Sequence, residues 1–172
     1  MIFGYLPLQR LGNVSAGSPT NAMISHTESM KTALPLENVL TIDLTTFSEP
    51  SRGSLTVVES QQKIPFSIAR IFYVYGVPSN GDRGAHAHRE AEQVFIAVSG
   101  GFFLEVSNAN QSKIFTMCEP HRAVYVPAMF WARVHNFSRD AICLVLTSTR
   151  YDPADYIRDW NDYISTVSKL AK

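Results

Sequence analysis

Only two cysteines occur in the 172 residues, Cys118 and Cys143, and neither belongs to a C-x-x-C pair or a Cys/His cluster. That scarcity excludes a disulfide framework and a cysteine-rich zinc site. Each thiol lies in or beside an apolar run and reads as buried, reduced and structural. Charge of one sign is not in excess either. Fifteen Lys and Arg against fifteen Asp and Glu leave zero net charge, so no overall field favours nucleic acid or an anionic membrane, and only local arginines are left to meet a phosphate. No segment reaches the ~18 consecutive apolar residues of a membrane span. The apolar start lacks the basic region and apolar core of a secretory signal, so the chain is expected in the cytoplasm. With 45% apolar and 17% charged residues, the composition is that of an ordinary globular domain plus a tail.

Residues 1–36 are rich in Ser, Thr, Asn, Gly and Pro and carry no strand or helix periodicity. They read as a loosely ordered extension, with Met30-Lys31-Thr32 a candidate start inside it. The domain proper is expected over residues 37–172. There, short β-branched and aromatic runs follow one another closely: 39–44, 54–59, 69–75, 93–98, 101–106, 113–117, 123–126, 133–137 and 141–148. Turn signals separate them, among them Arg52-Gly53, Pro78-Ser79-Asn80-Gly81-Asp82, Ser99-Gly100-Gly101 and Glu119-Pro120. Such spacing predicts one all-β sandwich or barrel. Only the end looks helical. Asp152-Pro153-Ala154-Asp155 offers an N-cap with proline in the first turn, and a helix is expected from Asp155 to about Leu170.

The chemistry concentrates in Arg83-Gly84-Ala85-His86-Ala87-His88. Two histidines at i and i+2 on a strand face the same way, so both imidazoles enter one space. Four residues separate His88 from Gln93, and six more separate Gln93 from Gly100. This spacing resembles the first motif of the cupins, in which a glutamate stands where this chain has Gln93. Glu92 is one residue off register and should face the other way. In the second cupin motif a ligand histidine occupies the place of Ala132, and the neighbouring His135 has the wrong parity. Two imidazoles of a four-ligand set hold a divalent metal poorly. No metal or other cofactor is therefore expected. An imidazole pair titrating near neutrality can instead move a proton between adjacent carbons of a bound substrate that carries a ketone next to a carbinol, through an enediol.

Taken together, Arg52-Gly53-Ser54-Leu55, the stretch from Ile64 to Tyr73, the R-G-x-H-A-H block, Gln93, Trp131 and the run from Tyr151 to Arg158 bring a family into view. The chain resembles the dTDP-4-dehydro-6-deoxyglucose 3,4-ketoisomerases, the WxcM-like, FdtA-type sugar isomerases of the cupin superfamily. The resemblance covers about residues 39–165. It implies a single RmlC-like jelly-roll barrel with a short C-terminal helix. It also implies a cytoplasmic enzyme that moves the keto group of dTDP-4-keto-6-deoxy-D-glucose from C4 to C3, on the way to 3-amino-3,6-dideoxy sugars. His86 and His88 would carry the proton transfers. The partner would be a second copy, in a homodimer that exchanges N-terminal strands from the region 39–60. A nucleotide-sugar-binding cupin with impaired catalysis, and an enzyme like the dTDP-sugar 3,5-epimerases, are the alternatives.

For the substrate, a nucleotide diphosphate calls for arginine forks, and Arg83 and Arg70 are the candidates. Tyr73 joins them only if a bulge gives it the parity of Arg70. Gln93 is suited to a sugar hydroxyl or to holding a histidine in one tautomer. Trp131 either stacks on the base, walls the sugar pocket or belongs to the core. The Asp155-Tyr156-Ile157-Arg158 run is expected to orient the C-terminal helix. Ala132 departs from the family pattern, in which a histidine often follows this tryptophan.

Overall fold

The computed structural model describes residues 34–170. Residues 1–33 of the extension, with the candidate start at Met30, lie outside the described residues, whereas Leu34 and Leu36 at its end pack against the core. From Leu40 on, the regular structure is mostly strand: β1 (Leu40–Asp43), β2 (Thr45–Glu49), β3 (Gly53–Val57), β4 (Arg70–Tyr75), β5 (Asp82–His88), β6 (Gln93–Ser99), β7 (Phe102–Ser107), β8 (Ser112–Met117), β9 (Arg122–Val126), β10 (Trp131–His135), β11 (Ile142–Thr147) and the two-residue β12 (Tyr156–Ile157). One helix, α1 (Trp160–Leu170), closes the chain.

Two five-stranded sheets face each other, in the orders β1-β9-β6-β11-β4 and β12-β5-β10-β7-β8, and the hairpin β2–β3 pairs only with itself among the described residues. This is the jelly-roll arrangement, realised as two facing sheets rather than a closed barrel. Between them lies the main core, built from alternating inward residues such as Phe95, Leu104, Val106, Val124, Val134 and Val145. Burial of such side chains stabilises by about 1.5–3 kcal/mol each.

Strand β6 is buried on both faces, which explains its unbroken apolar run. Its outer residues Val94 and Ile96 are covered by Ile64 and Phe66 of the β3–β4 connection. The outer face of the second sheet is covered by α1, where Tyr163 and Val167 pack on Ala87 and Ile157. The Tyr163 hydroxyl donates to the Ser107 carbonyl at 2.9 Å.

The C-terminal segment departs from the expected helix. Asp152 does cap, accepting from the Ala154 N–H at 2.9 Å, but it starts only one 3-10 turn, Pro153–Asp155. The chain then extends so that Tyr156 pairs with His88 and Ile157 with Ala87. Pairing the free edge of β5 and burying Ile157 outweigh one more helical turn. The helix begins only after Asp159, whose carboxylate accepts from the N–H groups of Asn161 and Asp162 at 2.8 and 3.0 Å. The apolar run 39–44 predicts one long first strand. It breaks at Leu44, which is buried and donates its N–H to the His121 carbonyl.

Candidate active site

Strand β5 carries a bulge just before the histidines. Opposite it, Ala132 pairs with His86 and Arg133 with Gly84, so Ala85 is the extra residue. Gly84 and Ala85 both have positive φ, +80° and +53°. At Gly84 a side chain is shut out twice, since a Cβ there would lie 2.8 Å from the Ala132 carbonyl oxygen. Beyond the bulge the ordinary alternation resumes, and His86 and His88 point the same way. Their Nε2 atoms are 3.2 Å apart.

Each ring is also held from behind. His86 Nδ1 lies 3.0 Å from the Gly84 carbonyl oxygen. His88, only 4% exposed, has its Nδ1 2.7 Å from Asp155 Oδ2. The other oxygen of Asp155 accepts the Glu90 N–H at 2.7 Å. Burial would push the Asp155 carboxyl up. The Glu90 N–H and His88 outweigh it and hold the group below the usual carboxylate range. Burial pushes His86 down to about 4, helped by the charges of His88 and Arg158 and opposed by the Gly84 carbonyl. Burial lowers His88 as well, against the pull of Asp155, with Arg70 and Arg158 adding to the fall.

His86 opens on an apolar cavity between the sheets, shared with Arg83 and Gly84 of β5, Phe72 of β4, Gln93 of β6 and Ala132 of β10. Gln93 thus shares the cavity with His86, while Glu92 faces away and accepts the Tyr125 hydroxyl at 2.6 Å. His135 also faces away, its ring against Phe103 and its Nε2 3.8 Å from Glu105. Cys143 lines the cavity, but burial raises its thiol to about 12, which makes it a wall and not a nucleophile. Among the described residues no three His, Cys, Asp or Glu side chains converge as a ligand set.

Arg70 faces inward. Its guanidinium lies 5.5 Å from the ring centres of both Phe72 and Tyr151, and its buried Nε has no hydrogen-bond partner among the described residues. Tyr73 is not brought to the site. The β4–β11 pairing runs without a bulge from Tyr75 to Arg70, so Tyr73 stands on the outer face, 62% exposed and stacked on Tyr75. Trp131 is not in the cavity either. On β10 the inward residues are Ala132 and Val134, and the tryptophan packs outside against Trp160 and Tyr163, with ring centres 5.0 and 5.4 Å away. Of its three readings, the core one matches its position in this chain.

Three residues of the site look merely structural in the sequence. Asp155 backs His88. Tyr156 lies with its ring centre 4.9 Å from His86 and 4.4 Å from His88. The Arg158 guanidinium sits 4.2 Å from the Tyr156 ring centre, within cation–π range. Nothing local marks them, because Asp155 reaches His88 across 67 residues of chain. The available signal was the density of Asp, Tyr and Arg in a segment too polar for a purely apolar helix anchor.

A jelly roll holding a paired, carboxylate-backed histidine dyad beside an apolar cavity is a cupin-like arrangement. Comparison with known proteins specifies which. Residues 37–168 match the FdtA family model, described as WxcM-like, C-terminal. A TDP-4-oxo-6-deoxy-alpha-D-glucose-3,4-oxoisomerase from Aneurinibacillus thermoaerophilus is 35% identical over 120 residues, which is 70% of this chain and 86% of that one. Among solved structures, QdtA, a sugar 3,4-ketoisomerase from Thermoanaerobacterium thermosaccharolyticum in complex with TDP, superposes with a TM-score of 0.76 at 31% identity, covering 78% of this chain and 98% of its own. A 3,4-ketoisomerase from Helicobacter canadensis gives 0.74 at 32%, covering 76% and 98%. The chain belongs to the FdtA family of WxcM-like proteins.

Proposed function

We propose that this protein is a sugar 3,4-ketoisomerase that converts dTDP-4-keto-6-deoxy-D-glucose to its 3-keto isomer. The observation that carries the reading is the His86–His88 contact, backed by Asp155 and opening on a cavity with Gln93. A carbonyl shift between neighbouring carbons needs a base at C3, a proton donor for C4 and no net redox change. Two adjoining imidazoles supply both roles. Gln93 and Ala132 provide neither a carboxylate nor a third imidazole, which fits proton chemistry by the pair alone. Arg83 and Arg70, with Arg158 beside Tyr156, would supply the cationic contacts to the diphosphate. The 3-keto product is the substrate an aminotransferase needs to form a 3-amino-3,6-dideoxy sugar.

The working unit is a cytoplasmic homodimer with exchanged N-terminal strands. Supporting this, the β2–β3 hairpin exposes Phe47 and Leu55, and the outer face of edge strand β4 exposes Ile71, Tyr73 and Tyr75. The described residues of a single chain leave these apolar side chains exposed. Sedimentation of Phe47→Asp beside wild type checks the dimer, which should dissociate in the variant.

Proton NMR in heavy water tests the activity, with dTDP-4-keto-6-deoxyglucose, chelator present and His88→Asn as control. A 3-keto sugar that forms with wild type and not with the control supports the reading. Binding of dTDP with neither conversion nor isotope exchange overturns it in favour of a nucleotide-sugar-binding protein. Exchange at C3 and C5 without ketone migration points to an epimerase.

A further inference from the structure

We propose that the apolar cavity beside His86 is the seat of the sugar's C6 methyl group, held open by Ala132, and that this fit makes the protein prefer 6-deoxy over 6-hydroxy sugars. A nucleotide-linked sugar at the histidines is taken from the ketoisomerase reading; what is added is which way round that sugar lies. The cavity measures about 60 Å³. That holds one or two water-sized groups of about 30 Å³ each, so neither a hexose ring nor a nucleobase fits, whereas a methyl group does. The lining is one-sided. Arg83, His86 and Gln93 are its polar side chains, and the rest of the wall is apolar, with Cys143 present as a protonated thiol.

Strand register produces that apolar wall. On the sheet with β4, β6 and β11, Arg70, Thr147 and Gln93 form one inward row, Phe72, Val145 and Phe95 the next, and Val74 with Cys143 a third. On the facing sheet Ala132 stands beside His86, and Val134 beside Arg83. The second and third rows, with Ala132 and Val134, offer no hydrogen-bonding side chain beyond the thiol. Ala132 is what keeps the space empty. An imidazole at this inward position, as often in the family pattern, would occupy most of it.

The mouth fixes what can reach this wall. Among the described residues β4 is the outer strand of its sheet, and β12 pairs only with Ala87 and His88 of β5. The cavity opens between the edges of β4 and β5, where Phe72 and Val74 are half-buried and Arg83 is exposed. A nucleotide sugar carries its diphosphate on C1. With the diphosphate at the mouth by Arg83, the opposite edge of the ring, C3, C4 and C5, points inward. C3 and C4 are the carbons the isomerisation alters, so they belong at the histidines. C5 adjoins C4, and its methyl is the group left to face the apolar wall. A methyl loses no hydrogen bond there. A C6 hydroxyl would leave water with only a thiol to meet it, and a site of this kind discriminates about ten- to a hundredfold.

Calorimetric titration of the full chain with dTDP, dTDP-glucose and dTDP-6-deoxyglucose tests the seat without any turnover. The two sugar nucleotides differ only in the C6 hydroxyl. dTDP-6-deoxyglucose should bind about ten- to a hundredfold tighter than dTDP-glucose. Ala132→Val, which fills part of the cavity, should weaken dTDP-6-deoxyglucose about tenfold or more. It should leave dTDP unaffected, and that unchanged affinity reports an intact fold. Valine-methyl-labelled wild-type protein locates the group directly. Nuclear Overhauser contacts from the C6 methyl to Val134 or Val145 support the seat. Contacts from the thymine methyl, or none from the C6 methyl, overturn it, as do equal affinities for the two sugar nucleotides; all of these leave the ketoisomerase reading standing. If neither sugar nucleotide binds, that reading fails and the seat fails with it.

Discussion

Replacing Gly84 with alanine isolates what aims His86. The backbone there has φ +80°, and the added Cβ would lie 2.8 Å from the Ala132 carbonyl oxygen. Left-handed conformation costs an L-residue about 1–2 kcal/mol. The clash falls on backbone of a paired strand, which cannot swing aside like a side-chain tip, so the total should reach roughly 2–4 kcal/mol. At about 3–5 °C per kcal/mol for a domain of this size, the melting temperature should drop about 6–20 °C. The effect on turnover comes from the same displacement. Relieving the contact shifts the Gly84 carbonyl that His86 Nδ1 meets at 3.0 Å, and a catalytic group misplaced by about 1 Å can lose a hundredfold in rate. Gly76→Ala is the matched control, because Gly76 also has positive φ, +65°, but nothing within 4 Å of its added Cβ. It should lose about 1 kcal/mol and keep its rate. Differential scanning calorimetry and initial rates on both proteins decide the matter. If Gly84→Ala melts and turns over like Gly76→Ala, the bulge is not what orients His86 and the reasoning fails.

Tyr163 is fully buried and its hydroxyl meets the Ser107 carbonyl, so Tyr163→Phe should cost about 1 kcal/mol and Tyr163→Ala about 3–5 kcal/mol in chemical denaturation. Arg70→Ala, which removes an inward guanidinium without a carboxylate partner among the described residues, should raise KM for the nucleotide sugar about tenfold or more with a smaller change in kcat. Acid should destabilise the fold in a defined window. His86 is neutral in the folded state down to about 4, whereas the unfolded chain takes up that proton near ~6.5, so the unfolded state binds more protons between those values and stability falls as pH drops through them. His86→Asn should flatten that part of the melting-temperature profile, and an unchanged slope would contradict the assignment.

Much of the architecture follows from local pattern. The alternating runs and the turns at Gly81 and Gly100 mark most of the strands, because side chains on a strand repeat every two residues and a half-buried sheet must sort them by face. The same rule placed His86 beside His88, turned Glu92 and His135 away, and pointed Gln93 into the cavity that His86 lines. It failed where pairing partners decided the outcome. Asp152-Pro153 did start a turn, but the open edge of β5 drew Tyr156 and Ile157 into a ladder and delayed the helix to Trp160. Tyr73 would have reached the site only across a bulge, and the bulge lies instead in β5.

By itself, then, the sequence determined the all-β class, the histidine pair on one strand face and the family to which the chain belongs, since each rests on spacings of a few residues and on side-chain chemistry. Tertiary structure alone decided that Trp131 serves the helix and not the cavity, that Arg158 stacks on Tyr156, and that Asp155 stands behind His88. Those contacts join segments up to 67 residues apart. Their geometry exists only once both sheets have paired and the chain end has been drawn in as β12, because a carboxylate can polarise an imidazole only at hydrogen-bond distance.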